Sequence, residues 1–224
     1  MEFMRKILFA ATIILATKTH ALTFEDIMVH PSESVAGKRL DEYANTWWQW
    51  TYTMPKEVSP VRDTTGKYCH VGQQGAVWFL AGGYGTSKIK RTCEIPAGKH
   101  IFFPVINMVY WPRSEGSISC ESVKRSAALN NDELLSIEVE LDYIKALSLS
   151  KTRIAPKNCF NLLGLVPKEY NPPNVYPAAT DGYWVMLKPL SKGTHILKFN
   201  AMYNRDKGAY GKMAQDIEYE LVVK

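Results

Sequence analysis

Four cysteines carry the strongest chemical signal in the sequence: Cys69, Cys93, Cys120 and Cys159. A structural zinc site usually takes ligands from pairs of cysteines separated by about two to four residues. No two cysteines here have that spacing, so the pattern favours two disulfides over a metal site. Four cysteines allow three pairings, and the sequence does not decide among them. We favour Cys69 with Cys93, which bracket an apolar run, and Cys120 with Cys159, which bracket an irregular stretch.

Residue patterns for catalysis are weaker than the cysteine pattern. The histidines after residue 21 are His30, His70, His100 and His195, and none stands in an H-x-H or H-x-x-x-H pair. The Gly-x-Ser-x-Gly motif of many hydrolases is absent, and no pattern predicts a cofactor. We keep a secreted hydrolase as the alternative function, with its site in the loops that hold Asp63, His100 and Asp181. The two aspartates belong to turn sequences, where such side chains commonly bond the backbone.

Aromatic residues outside the regular segments are the candidate binding residues. Tyr84 lies in a glycine-rich loop, and Tyr110 and Trp111 follow a predicted strand at 100–106. Rings on loops can stack on sugars or contact a protein partner, because they offer a large contact area at a small entropic cost. The alternative is that these rings plug the open ends of the fold. We predict a binding surface that includes all three, for a protein or carbohydrate ligand.

The N-terminal 21 residues predict the compartment. Arg5 and Lys6 precede an uncharged run from Ile7 to Thr17, which is followed by Thr19-His20-Ala21. A basic segment, a short apolar segment and a small-residue cleavage site make up a secretory signal peptide. We therefore predict a signal peptide at 1–21, a single domain at 22–224 and a secreted or periplasmic location.

Charge and hydropathy exclude two classes of partner. Removing Arg5, Lys6, Lys18 and Glu2 with the signal peptide changes 27 basic and 22 acidic residues to 24 and 21, a formal charge of +3. This is too weak and too scattered for a nucleic-acid-binding protein. Lys88, Lys90 and Arg91 form the nearest basic cluster, which we interpret as a solvated strand face. No segment after residue 21 is apolar over the roughly 20 residues that a spanning helix needs.

One tryptophan-rich helix is predicted near the start of the mature chain, from Ser34 to Met54. Its apolar positions recur at three- and four-residue steps and include Tyr43, Trp47 and Trp48. Pro55 cannot continue the helix. Trp50 lies off this apolar stripe. Either the apolar face of the helix is wide, or the Trp50 ring has a role outside the core.

The rest of the chain shows the two-residue period of strands. Predicted strands lie at 76–81, 89–95, 100–106, 136–143, 183–188, 194–202 and 217–223, with helical turns at 122–129. Pro104 predicts an edge or a bulge in its strand. Many short strands, Gly and Pro turns and a single long helix indicate a mainly β protein. We predict an antiparallel β-sandwich of jelly-roll or immunoglobulin-like type.

Several longer segments are specific as a set. They are WWQW at 47–50, DTTG at 63–66 followed by Cys69, VWFLAGG at 77–83, CEIPAGKHIFFPVIN at 93–107 and DGYWVMLKPLSKGTHILKFNA at 181–201. Together they resemble an uncharacterised family of exported, mostly bacterial proteins. The resemblance implies a common fold and an exported setting, and it assigns no catalytic residue. We therefore expect an exported, non-enzymatic binding or structural protein.

Overall fold

The computed structural model describes residues 21–85, 88–112, 118–204 and 212–224. The α-helices in these ranges are α1 (Phe24–Ile27), α2 (Leu40–Thr53) and α3 (Cys120–Ala128). The strands are β1 (Ser34–Val35), β2 (Lys38–Arg39), β3 (Val77–Phe79), β4 (Lys88–Ile95), β5 (His100–Tyr110), β6 (Leu134–Leu141), β7 (Ile144–Lys145), β8 (Arg153–Ile154), β9 (Ala179–Leu187), β10 (Gly193–Asn204) and β11 (Lys212–Val223). The protein is therefore mainly β, as the two-residue periods predict.

Two open sheets form the body of the described chain. Strands β4, β11, β10, β6 and β7 make a five-stranded sheet in this order, and β3, β5, β9 and β8 make a four-stranded sheet. Most neighbours are antiparallel, but β4 runs parallel to β11 and β3 runs parallel to β5. The prediction of a wholly antiparallel arrangement is wrong at these two pairs. Pairing partners come from distant segments, so alternation within one strand does not reveal them.

The two sheets and helix α2 pack as three layers. Between the sheets lies one apolar cluster, in which Phe103 of β5 contacts Phe199 of β10 with ring centroids 4.9 Å apart. The opposite face of the four-stranded sheet packs against α2, where Phe102 stacks on Trp184 at 5.2 Å and Trp47 meets Trp184 edge to face. Both faces of β5 are thus buried, which agrees with its nearly continuous apolar sequence.

Helix α2 is shorter than predicted. It begins at Leu40, because 34–39 form the small hairpin of β1 and β2. The turn residues of that hairpin, Ala36 and Gly37, have φ of 48° and 78°, which a right-handed helix does not allow. Trp50 is buried and donates its indole N–H to the Val71 carbonyl, so the apolar face of the helix is wide.

A second correction concerns the end of β6. A strand is predicted at 136–143, but it ends at Leu141, and Tyr143 is 86% exposed. Asp142 and Tyr143 have φ of 49° and 69° and form the two-residue turn between β6 and β7. Positive φ at both central residues is the mark of a tight hairpin turn.

The cysteine prediction is confirmed. Cys69 is bonded to Cys93, which ties the loop before β3 to strand β4. Cys120 is bonded to Cys159, which ties α3 to the loop after β8. In the described ranges no helix is long and apolar enough to cross a membrane.

Candidate binding site

An aromatic cleft of about 340 Å³ opens beside the C-terminal half of α2. It lies where strand β5 ends, next to the loop after β3, the end of β10 and the start of β11. The side chains that matter below are Trp48, Tyr52, Tyr84, Asn107, Trp111 and Gln215, and Met108, Met213 and Tyr203 complete the apolar lining. Two of the three predicted binding residues, Tyr84 and Trp111, are therefore brought to one concavity.

A row of rings forms one wall of this aromatic cleft. Trp48 contacts Tyr52, one helical turn further along α2, and Tyr52 meets Trp111 edge to face with centroids 5.3 Å apart. The indole N–H of Trp48 donates to the Thr180 hydroxyl on β9 at 2.8 Å, which fixes the ring against the sheet. Tyr84 is 61% exposed, and the Arg62 guanidinium lies 5.9 Å from its ring centroid.

Tyr110 lies apart from the aromatic cleft. It is the last residue of β5, and it packs with Val123 and Ala127 of α3 rather than lining the cleft. Because successive side chains of a strand point to opposite faces, its neighbours cannot share its direction. This geometry gives no support for Tyr110 as part of the predicted binding surface.

The loop at 81–83 forms the floor of the aromatic cleft, and buried polar side chains hold it. The Arg91 side chain of β4 is 1% exposed and donates to the carbonyls of Ala81 and Gly82 at 2.8 and 2.9 Å. A third bond, from its Nε atom, reaches the Asp63 carbonyl at 2.7 Å. The interpretation of Arg91 as part of a solvated strand face is thus wrong. Lys88 and Lys90 are exposed, whereas Arg91 lies on the inward side of the strand.

Tyr219 and Gln215 of β11 hold the same loop. We call the three side chains, Arg91, Tyr219 and Gln215, the clamp. The Tyr219 hydroxyl donates to the Ala81 carbonyl at 2.8 Å, and burial raises its pKa, which keeps the donating proton in place. The Gln215 amide donates to the Gly83 carbonyl at 2.8 Å and accepts from the Gly83 N–H at 2.9 Å. A Cβ atom at Gly83 would lie 2.5 Å from Cδ1 of Ile89, so any other residue here requires the end of that side chain to move.

Asn107 differs from its neighbours in the aromatic cleft. Strand β5 continues past Pro104 through a register shift, which the proline predicts, and this places Asn107 opposite Gly182 of β9. Asn107 is 7% exposed, and its Nδ2 atom has no hydrogen-bond partner among the described residues. Most buried polar side chains in proteins are paired. An unpaired buried amide in the wall of a concavity therefore indicates a place where a ligand group could bond.

The three residues of the hydrolase alternative do not converge. Asp181 pairs across the sheet with Met108, eight residues beyond His100 along β5, a separation of about 26 Å at roughly 3.3 Å per residue. Asp181 is buried and receives two hydrogen bonds from Arg153, at 2.9 and 3.0 Å. Burial lowers the pKa of His100. His100 and Asp181 are therefore too far apart to act together in one catalytic site.

Asp63 acts as a turn residue, as its sequence indicates. Its carboxylate accepts hydrogen bonds from the backbone N–H groups of Thr65 and Tyr68, both at 2.8 Å, and from the Thr65 hydroxyl. Burial acts to raise the pKa of Asp63, but these bonds and the nearby charge of Arg91 hold it below its ordinary value. The side chain thus fixes the loop whose carbonyl Arg91 binds.

One group with the connectivity of a catalytic triad was missed by the sequence analysis. His195 Nδ1 lies 2.6 Å from an Asp142 carboxylate oxygen, and its Nε2 lies 3.4 Å from the Ser191 hydroxyl. The same Nε2 is 2.9 Å from the Ser191 carbonyl, which can only accept a hydrogen bond. When Nε2 donates to this carbonyl it carries a proton and cannot take one from the hydroxyl. The group fastens two hairpin turns, and only their pairing in three dimensions brings it together.

A second, larger groove of about 610 Å³ runs along the other side of α2, lined by Tyr43, Trp50 and Phe79 among others. The backbone edge at Phe79 is closed by Gln73, whose amide donates to the Phe79 carbonyl and accepts from its N–H, both at 2.8 Å. None of the buried, unpaired side-chain atoms found in the described residues belongs to the lining of this groove. The aromatic cleft is therefore the stronger candidate.

Comparison of the chain with protein-family models, with curated proteins and with solved structures finds no significant match. In the described ranges no group of three or more His, Cys, Asp or Glu side chains could hold a metal ion.

Proposed function

We propose that this chain is an exported, non-enzymatic binding protein that holds its ligand in the aromatic cleft. The observation that carries the proposal is the convergence of Tyr84, Trp111, Trp48 and Tyr52 around the unpaired amide of Asn107. Ligand pockets are typically apolar concavities of roughly 300–1,000 Å³ with a few polar groups that orient the ligand. The cleft, at about 340 Å³, suits a small molecule or a single side chain of a partner.

Two further features support an exported binding protein. The signal-like sequence at 1–21 and the two disulfides both suit an oxidising compartment, secreted or periplasmic. We also propose that the two sheets form a sandwich of jelly-roll or immunoglobulin-like type. The resemblance to a family of exported proteins supports the exported setting. Binding is favoured over hydrolysis because Asp63 and Asp181 are committed to structural bonds and His195 Nε2 lies 2.9 Å from a backbone carbonyl.

The proposal is tested with the fluorescent dye 8-anilinonaphthalene-1-sulfonate, which brightens in apolar sites. We expect the folded parent to bind the dye, and Trp111→Ala to weaken the affinity at least fivefold, because a ring that contacts the ligand is lost. The melting temperature should fall only modestly, since Trp111 is half-buried and packs at the edge of the apolar cluster under α2. Tyr176→Ala, which removes an exposed ring outside the cleft, is the matched control. Equal dye affinity in the parent and the Trp111 variant, or no binding by the parent, contradicts the proposal.

A further inference from the structure

The buried polar side chains of the aromatic cleft differ in what they leave available. Gln215 uses its amide oxygen and nitrogen on Gly83. Tyr203 directs its hydroxyl to the sulfur atoms of Met108 and Met213, at 3.4 and 3.2 Å. Trp48 donates to Thr180. Among these, Asn107 alone has a polar atom, Nδ2, without a partner in the described residues.

The chemistry of that atom restricts what can satisfy it. An amide nitrogen only donates hydrogen bonds, so its partner must be an acceptor. Leaving a buried donor unpaired is unfavourable, and a ligand that supplies the acceptor removes this cost on binding. The same gain is denied to a ligand of equal shape that lacks the acceptor.

The remaining lining restricts the body of the ligand. Met108, Val109, Met213 and the ring faces of Trp48 and Trp111 present apolar surface. A sugar would bring several hydroxyl groups into contact with these side chains, where most of them would lose their hydrogen bonds to water without replacement. An aromatic or aliphatic body is matched by the walls.

Building on the proposed function, we infer that the aromatic cleft selects a small apolar molecule carrying one carbonyl-type hydrogen-bond acceptor, and that Asn107 recognises the acceptor. Ketones, esters and tertiary amides with an aromatic or branched aliphatic body belong to this class. The rings give the affinity, and Asn107 gives the discrimination between molecules of the same shape.

Two probes of nearly equal size separate these contributions: acetophenone, which has a carbonyl oxygen, and ethylbenzene, which has none. Binding is followed through the tryptophan indole signals in proton–nitrogen NMR spectra. We expect the parent to bind acetophenone about tenfold more tightly than ethylbenzene, the effect of one hydrogen bond to a buried donor. Methyl glucoside should bind more weakly than either probe.

Asn107→Leu keeps the branching of the side chain and removes the donor. It should abolish the preference for acetophenone and leave the affinity for ethylbenzene equal or higher. Asn174→Leu, at an exposed asparagine outside the cleft, should change neither affinity. The melting temperature of each variant shows that it is folded.

The outcomes distinguish the inference from the proposed function. If the parent binds neither apolar probe, the proposed function fails with the inference. If both probes bind equally and Asn107→Leu changes neither affinity, the cleft is a binding site and only the acceptor inference is wrong. Tighter binding of methyl glucoside than of acetophenone also overturns the inference, and leaves the proposed function standing.

Discussion

Two buried amides line the same cleft and differ in whether their hydrogen bonds are complete. Gln215, 5% exposed, pairs with both backbone groups of Gly83, whereas Asn107, 7% exposed, has a nitrogen without a partner in the described residues. The first belongs to a clamp that also includes Arg91 and Tyr219 and that holds the loop at 81–83. The difference teaches that burial alone does not mark a functional group. An incomplete set of hydrogen bonds, in a concavity, is the more informative sign.

The largest expected effect comes from breaking the clamp at its centre. Arg91→Met should lower the free energy of unfolding by about 3–5 kcal/mol, because two buried carbonyl oxygens and one partly buried carbonyl oxygen lose a charged donor. Urea unfolding measures the change. Lys90→Met, on the exposed face of the same strand, removes only a surface ion pair with Glu218 and should leave the free energy of unfolding close to that of the parent. A loss below 1 kcal/mol for the Arg91 variant would show that the clamp is dispensable.

A smaller loss is expected at the structural amide. Gln215→Met keeps the length of the side chain but leaves both backbone groups of Gly83 without partners. We expect a loss of about 2–3 kcal/mol in the same unfolding experiment. If the variant is as stable as the parent, Gln215 has no structural role, and the proposed difference between the two amides is wrong.

Asn107→Leu should have little effect on stability, within about 1 kcal/mol of the parent, because no bond of its nitrogen is lost on substitution. The same unfolding experiment compares it directly with Gln215→Met. A loss as large as that of the Gln215 variant would make Asn107 a structural residue and remove the contrast.

The smallest effect concerns pH and a region far from the clamp. Burial acts to lower the pKa of His195, but the bonds to Asp142 and to the Ser191 carbonyl raise it above its ordinary value of 6.5. A raised pKa in the folded state stabilises the protein fully below the unfolded value, and this contribution is lost as the pH rises through the folded value. The free energy of unfolding of the parent should therefore fall as the pH rises from the ordinary pKa of 6.5 through the raised pKa of the folded state. His195→Gln should flatten this dependence, and an unchanged pH profile in that variant would contradict the assignment.

The sequence predicts local features of this fold better than long-range ones. Disulfide formation by the four cysteines, the register shift at Pro104 and most strands follow from residue type, spacing and alternation, whereas the disulfide pairing was a choice among three possibilities. The start of α2 was missed because the hairpin at 34–39 depends on the positive φ of Ala36 and Gly37. The parallel pairing of β3 with β5 and of β4 with β11 depends on which distant strands meet. The residue pattern within one strand does not contain that information.

The clamp and the cleft show what the sequence could still have revealed. Arg91 alternates in register with Ile89 and Cys93, which are inward residues, so its position predicts a buried guanidinium in place of a solvated one. Asn107 interrupts an apolar strand in the same way. Tyr84 and Trp111 were predicted as binding residues, but their convergence on Asn107 depends on the packing of α2 against the end of β5.

The most direct test of the central claim is a crystal structure of the protein soaked with acetophenone. The account predicts the phenyl ring between Trp111 and Met108 and the carbonyl oxygen within about 3 Å of the Asn107 amide nitrogen, the distance of an ordinary hydrogen bond. Acetophenone bound elsewhere, or in the aromatic cleft with its carbonyl directed away from Asn107, would contradict it.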